Sequence, residues 1–331
     1  MDELFGLEHI QKFLKGVNRF YTHFERRLAA NQIIWQEGST HVLDYTQVAK
    51  DDLPILFFIP SLINKSYILD LIKDMSMVKY FANLGYRVYL VDFTEPLDDE
   101  LNMSFADYEQ RLNRAINEVC KNSPIVTIGY CLGGLFSLKL QSNSKANFIG
   151  QALIATPWDF SHFKNILGLS SPLIMQNFEL IVSGLDKVSP ALVQWFFSAI
   201  DPYKIWNKFS KFASIEESQE VEKFVAVEQW VNDGISLSKK FALEALSMLN
   251  SKEPFFNIDC KAPSLIIGGE MDKIVPPSSY MKLYGELPNK ELKIKKTGHI
   301  GLVVGTLAKE EIWLEIENWL QQKVVRKNNY C

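Results

Sequence analysis

Apolar residues recur at alternating three- and four-residue steps through Leu7, Ile10, Leu14, Val17, Tyr21, Phe24 and Leu28, which predicts an amphipathic helix over residues 4–29. Such a stripe can pack on the rest of the chain or meet a partner or second copy. The period then shifts. Ile33-Ile34-Trp35 and His41-Val42-Leu43-Asp44-Tyr45 read as two arms of a hairpin around Gln36-Glu37-Gly38-Ser39. Pro54-Ile55-Leu56-Phe57-Phe58-Ile59 is a continuous apolar run, the pattern of a strand covered on both faces in a parallel sheet. A helical pattern over about residues 70–84 stops at Gly85, and the next strand, Arg87-Val88-Tyr89-Leu90-Val91, ends in Asp92. Residues 104–122 carry Phe105, Tyr108, Leu112, Ile116 and Val119 on one helical face. Further strands follow at Ile125-Val126-Thr127-Ile128 and at Phe148–Ile154, with a helix-like segment between them. Strands alternating with helices predict a parallel α/β sheet with right-handed crossovers.

From about residue 157 to residue 250 strand patterns give way to helical ones rich in Trp195-Phe196-Phe197, Tyr203, Trp206, Phe209, Phe212, Phe224 and Trp230. Most of these aromatics suit ordinary core packing, and a few suit the lining of a tunnel. Strand–helix alternation resumes at Pro263-Ser264-Leu265-Ile266-Ile267-Gly268-Gly269 and continues at Leu292-Lys293-Ile294-Lys295. The organisation predicted is an N-terminal amphipathic helix (1–32), a core in two pieces (33–156 and 251–325), and a helical cap inserted between them (157–250).

The net charge of −4 and the lack of a long basic block argue against a nucleic-acid surface. Cys120, Cys131, Cys260 and Cys331 have no metal-ligand spacing, so neither a metal site nor a disulfide framework is expected, and a reducing cytoplasm fits. Met1-Asp2-Glu3-Leu4-Phe5 does not open a signal-peptide apolar region. The most apolar run, residues 53–63, is shorter than the roughly 20 residues a membrane span needs. No transmembrane segment is expected, and residues 323–331 read as a frayed basic tail.

Chemistry concentrates at Gly129-Tyr130-Cys131-Leu132-Gly133-Gly134, between an apolar strand and the helix-like Leu135-Phe136-Ser137-Leu138-Lys139-Leu140. Strand, sharp turn and helix, with a reactive side chain at the apex, match the G-x-S-x-G nucleophile elbow of α/β-hydrolases, with Cys131 in place of serine. The fold expected is therefore an α/β-hydrolase fold with a mostly parallel central sheet and an inserted helical cap. That superfamily orders its residues nucleophile, acid, histidine. Asp272 lies just past a late strand, in Glu270-Met271-Asp272-Lys273-Ile274-Val275-Pro276-Pro277. His299 follows Gly298 in the loop after the next strand. Of the five histidines, His9 and His23 fall on the N-terminal helix, His41 in the hairpin and His162 after a strand end. Only His299 combines a flanking glycine with the C-terminal position. A free thiol is only a few per cent ionised at pH 7, so a base is needed, and a helix N-terminus favours the thiolate. The backbone N–H groups of Leu132 and of the Leu62–Ile63 region are candidates for an oxyanion hole.

These stations, taken together with Pro60-Ser61-Leu62-Ile63-Asn64-Lys65-Ser66-Tyr67-Ile68-Leu69-Asp70-Leu71, Val88-Tyr89-Leu90-Val91-Asp92, Thr156-Pro157-Trp158-Asp159-Phe160 and Gly298-His299-Ile300-Gly301, resemble the polyhydroxyalkanoate synthases over roughly residues 33–320. The length is similar to the catalytic subunit of the two-component, class III enzymes. Asp92-Phe93-Thr94 stands where the family has Asp-Trp-Gly, and Trp158 where it has valine, which marks a divergent branch. The resemblance implies a cytoplasmic acyltransferase that polymerises (R)-3-hydroxyacyl-CoA through a Cys131-linked acyl-enzyme. It implies acyl-CoA as substrate with no permanently bound cofactor, and a second synthase subunit or homodimer together with the polymer granule surface as partners. Dienelactone hydrolases share a cysteine elbow but lack a large cap. A Cys-dependent thioesterase or hydrolase is the alternative within the superfamily, and a non-catalytic granule- or partner-binding paralogue is the alternative outside enzymes.

Overall fold

Residues 55–59 are β-strand with every side chain buried, because helices cover both sides of the sheet they enter. In the computed structural model, which describes residues 7–22, 31–161, 172–200, 202–251 and 254–325, this strand lies mid-sheet. Numbered along the chain, the strands of the main sheet are β1 (Gln32–Glu37), β2 (Thr40–Asp44), β3 (Ile55–Ile59), β6 (Arg87–Phe93), β7 (Ile125–Tyr130), β8 (Phe148–Ile154), β11 (Ser264–Gly269) and β12 (Lys290–Lys295). Their spatial order is β1-β2-β6-β3-β7-β8-β11-β12. The first two form an antiparallel hairpin turned by Gly38 at φ +53°, and β2 pairs antiparallel with β6; all later pairings are parallel.

Alternation along each strand splits the core in two. Leu56 and Phe58 pack with Phe81, Trp313 and Ile316 on one side. Ile55, Phe57 and Ile59 pack with Leu112, Ile116, Leu135 and Leu138 on the other. The covering helices are α2 (Met77–Asn83), α3 (Phe105–Val119), α4 (Leu132–Asn143), α10 (Pro277–Glu286) and α12 (Leu314–Trp319), with the short α11 (Gly301–Val304) ahead of α12. Ser104 caps α3 by accepting from Asp107 N–H, so the helix begins where the capping signal stands.

Between β8 and β11 lie α5 (Pro172–Ser183), α6 (Pro190–Ile200), α7 (Pro202–Phe212), α8 (Ser218–Asn232) and α9 (Lys239–Asn250). Two short strands, β9 (Lys187–Val188) and β10 (Leu237–Ser238), pair antiparallel among them, where the sequence pattern showed helices alone. A second departure is the helix read over residues 70–84. Only α2 is helical; residues 70–76 form a small hairpin, β4 (Asp70–Ile72) with β5 (Met75–Ser76). Ser76 accepts from Lys79 N–H and starts the helix late.

The N-terminal helix α1 (Leu7–Thr22) packs on α7. Its contact face is rotated from the predicted stripe. Phe13 stacks on Trp206 at 4.4 Å, Phe20 meets Phe209 edge-on, and Gly16 is buried against the Phe209 carbonyl. Ile10 and Val17 are half-buried, whereas Leu7, Leu14 and Tyr21 stand exposed. Phe24, Leu28, His23, His162 and Cys331 lie outside the described residues. Among the described residues no helix is long and apolar enough to cross a membrane.

Candidate active site

The chain leaves β7 and enters α4 through one residue, Cys131, at φ 54° and ψ −123°. A non-glycine residue there is strained by an amount on the order of 1–3 kcal/mol. The surroundings hold it in place. Cys131 N–H donates to the Ile154 carbonyl at 2.9 Å, and the Cys131 carbonyl accepts from Gly134 N–H at 3.0 Å. Three glycines let strand, helix and neighbours close in. A Cβ on Gly133 would stand 1.9 Å from the Ile59 carbonyl oxygen, one on Gly134 1.9 Å from Thr156 Oγ1, and one on Gly129 2.5 Å from Gly134 Cα. Leu132 is the first residue of α4, so its N–H has no acceptor within the helix.

Asp272 follows β11 by three residues and is buried. Its Oδ1 accepts from Ile274 N–H at 2.8 Å and from Val275 N–H at 2.9 Å, which leaves Oδ2 aimed at the next loop. There His299 Nδ1–H donates to Oδ2 at 2.8 Å. The Cys131 side chain lies close enough to act on the charge of the imidazole, and with Nδ1 taken by Asp272, Nε2 is the ring nitrogen left for it. Burial works against the imidazolium, but the Asp272 carboxylate and the Cys131 side chain outweigh it, and the His299 pKa is raised. The three predicted residues, from three separate loops, thus come together at the C-terminal edge of the parallel strands.

His9 stands exposed on α1, and His41 pairs with Asp92 in the sheet. At the other described cysteines, burial pushes the Cys120 thiol up to about 12 and also raises that of Cys260. Of the amides after β3, Ile63 N–H donates to Ser61 Oγ at 3.4 Å, whereas Leu62 N–H has no acceptor among the described residues. Two residues named in the sequence gain partners that the sequence did not show. Tyr130, the residue before the cysteine, sets its ring 5.3 Å from the His299 ring and donates from its hydroxyl to the His299 carbonyl at 3.4 Å. Trp158, just past β8, donates from Nε1 to Glu286 Oε1 at 2.8 Å, while its backbone N–H donates to Ser279 Oγ at 2.9 Å. Only the fold brings these partners together, so no local pattern marked them.

Cys131 opens into a cavity of about 160 Å³ whose lining is almost wholly apolar, with Leu132, Phe160, Trp195, Phe241 and Leu246 among its walls. The aromatics of residues 157–250 divide accordingly. Trp195, Phe196 and Phe197 line this space. Phe212 stacks on Phe224 at 4.0 Å in a separate core, and Trp206 takes α1.

A strained elbow, a buried acid and a histidine on successive strand ends define a class, and the sequence matches the alpha/beta hydrolase fold family over residues 54–306: the chain belongs to that family. Within it, the chain is similar to enzymes of the polyhydroxyalkanoate synthase type. It is 26% identical to the poly(3-hydroxyalkanoate) polymerase subunit PhaC of Haloarcula marismortui, with 88% of this chain and 68% of that protein covered. The like-named subunit of Synechocystis sp. is 22% identical, with 96% and 92% covered. Among solved structures, MenH from S. aureus superposes with a TM-score of 0.57 at 16% identity, covering 86% of this chain and 98% of that one, a likeness of fold.

Proposed function

We propose that this chain is an acyltransferase that polymerises (R)-3-hydroxyacyl units from coenzyme A through an acyl group carried on Cys131. The observation that carries this reading is the buried His299–Asp272 pair set beside Cys131, which opens into an apolar cavity. His299 holds the proton drawn from the thiol as an imidazolium, and Asp272 holds the ring by Nδ1. The thiolate attacks the thioester carbon, a new carbon–sulfur bond forms, and the carbonyl oxygen becomes an oxyanion. The N–H groups of Leu132 and Leu62 are its donors, each worth about 3 kcal/mol in such sites. The bond to coenzyme A then breaks, and its thiolate takes the proton from His299. A chain hydroxyl next gives its proton to His299 and attacks the acyl-enzyme, which frees Cys131.

The apolar lining supports transfer to a bound hydroxyl over hydrolysis, since it gives water few partners. The names of the relatives support a polyester product, and their description as subunits supports a second subunit as partner. Work at a granule surface in the cytoplasm belongs to the same reading. The test is incubation with (R)-3-hydroxybutyryl-CoA, with and without a candidate second subunit, following thiol release and polyester together. Polyester with released thiol is the expected result. Thiol release with free 3-hydroxybutyrate would make the chain a thioesterase. No thiol release under either condition would sink the acyl-enzyme reading.

A further inference from the structure

The loop that carries Leu62 is held from two sides. On the core side, Gly133 at the start of α4 abuts the carbonyls of Ile59 and Pro60. On the other side, it is tied to the end of α8 and the residues just beyond. Asn64 Nδ2 donates to the carbonyls of Trp230 at 3.1 Å and Val231 at 3.3 Å. Trp230 Nε1 donates back to the Lys65 carbonyl at 2.7 Å. Ile235 N–H donates to the Ile63 carbonyl at 3.2 Å, and Tyr67 donates from its hydroxyl to Asp233 Oδ2 at 2.9 Å. Gly234 permits the approach, since a Cβ there would stand 3.3 Å from the Ile63 carbonyl and 2.9 Å from Pro190 Cβ.

We propose that Asn64, Tyr67 and Trp230 are positioning residues that set the Leu62 N–H for the oxyanion through the end of α8, a proposal that rests on the acyl-enzyme reading above. The physical ground is that a donor helps only where the developing charge will sit, so an amide on a loop needs that loop held. Trp230 and Tyr67 are buried, and each spends its one polar hydrogen on this junction. Side-chain bonds join the backbone bond between Ile235 and Ile63 in tying the two segments, across a gap of more than 160 residues in sequence. A shift at the end of α8 therefore moves the loop with it, and the roof over the cavity is coupled to the charge-stabilising donor beneath it.

The test is the full chain with Trp230→Phe, which keeps the ring packing and removes one donor, and with Tyr67→Phe as the milder change. Each is assayed for coenzyme A release from 3-hydroxybutyryl-CoA, for 4-nitrophenyl butyrate cleavage, and for alkylation of Cys131 by iodoacetamide. Alkylation forms no oxyanion. The proposal expects kcat to fall about tenfold, part of the 10²–10³-fold loss seen when such a donor is removed outright, with KM and the alkylation rate within about twofold of wild type. Acyl transfer that is unchanged, or that falls in step with alkylation, would overturn it. Wild type that cleaves the ester but not the thioester would remove the synthase reading and leave the positioning proposal to be decided on the ester. Should Trp230→Phe not fold, Tyr67→Phe decides.

Discussion

The floor and the roof of the cavity are built by different means. On the floor, Cys131 and Asp272 stand just beyond parallel strands and are fixed by backbone amides and carbonyls. His299, beyond the edge strand β12, is held by Asp272 and by the Tyr130 hydroxyl on its carbonyl. The roof from α5 to α9 places apolar side chains over that floor and is tied to it at a few points, by side chains and by the Ile235–Ile63 backbone bond. Polar geometry resting on a sheet tolerates little displacement, whereas an apolar wall can change shape while keeping its chemistry. On the function proposed above, the reaction belongs to the floor and the choice of acyl group to the roof.

The largest effect that would break this division is at the nucleophile. Cys131→Ala is expected to lower coenzyme A release by 10³-fold or more, on the order of what removal of a nucleophile costs in related triads, with an unchanged circular dichroism spectrum. Activity near wild type would move the reaction elsewhere. Asp272→Asn should follow, with kcat down roughly 10²–10⁴-fold, because an amide cannot hold the same imidazole tautomer. Steady-state kinetics on the folded variant checks it. Gly133→Ala attacks the floor through packing alone. Its methyl would overlap the Ile59 carbonyl, and a loss of about 3 kcal/mol or more in urea unfolding is expected, of the size seen for severe overpacking.

A change in the roof should look different. Ala245 lines the cavity from α9, and Ala245→Phe would fill part of it. The expected result is a fall in kcat/KM for ten-carbon relative to four-carbon hydroxyacyl-CoA of about tenfold, the size that lost pocket space costs per one or two methylenes. Iodoacetamide labelling of Cys131 should not change. Equal losses for both acyl lengths would blur the floor–roof distinction. The smallest effect is on pH. His299 in the fold is raised from 6.5 to about 10, so its charged contact with Asp272 stabilises fully below pH 6.5 and is lost as pH rises through about 10. The gap in urea midpoint between wild type and His299→Gln should be widest near pH 6 and narrow toward pH 10.

The same division explains what could be read from the chain. Strands such as residues 55–59 and 264–269 are apolar on both faces, so their burial is written in consecutive residues. The elbow is legible because the backbone strain and the close approach at Gly129, Gly133 and Gly134 restrict residue type locally. The order Cys131, Asp272, His299 pointed to three residues that the structure brings to one edge of the sheet. Residues 70–76 misled, because a two-strand hairpin with Ile72 and Met75 on it has the same apolar spacing as a helical turn. The face of α1 misled for a related reason: Gly16 contributes nothing to an apolar stripe, yet it is the point of closest approach to α7. Tyr130, Trp158 and Trp230 find their polar partners only through folding, across separations that no window of sequence spans.

The backbone angles at Cys131 also bear on how this protein can vary over generations. Glycine accepts φ 54° with ψ −123° at little cost, so Cys131→Gly should release strain and raise the melting temperature of the fold. Drift guided by stability alone would then carry this position toward glycine. Lineages that make no use of the thiol should therefore lose the cysteine first, while keeping Gly129, Gly133 and Gly134, which the packing demands whether or not any reaction takes place. A side chain retained at position 131 against that pull records continued selection for what it does.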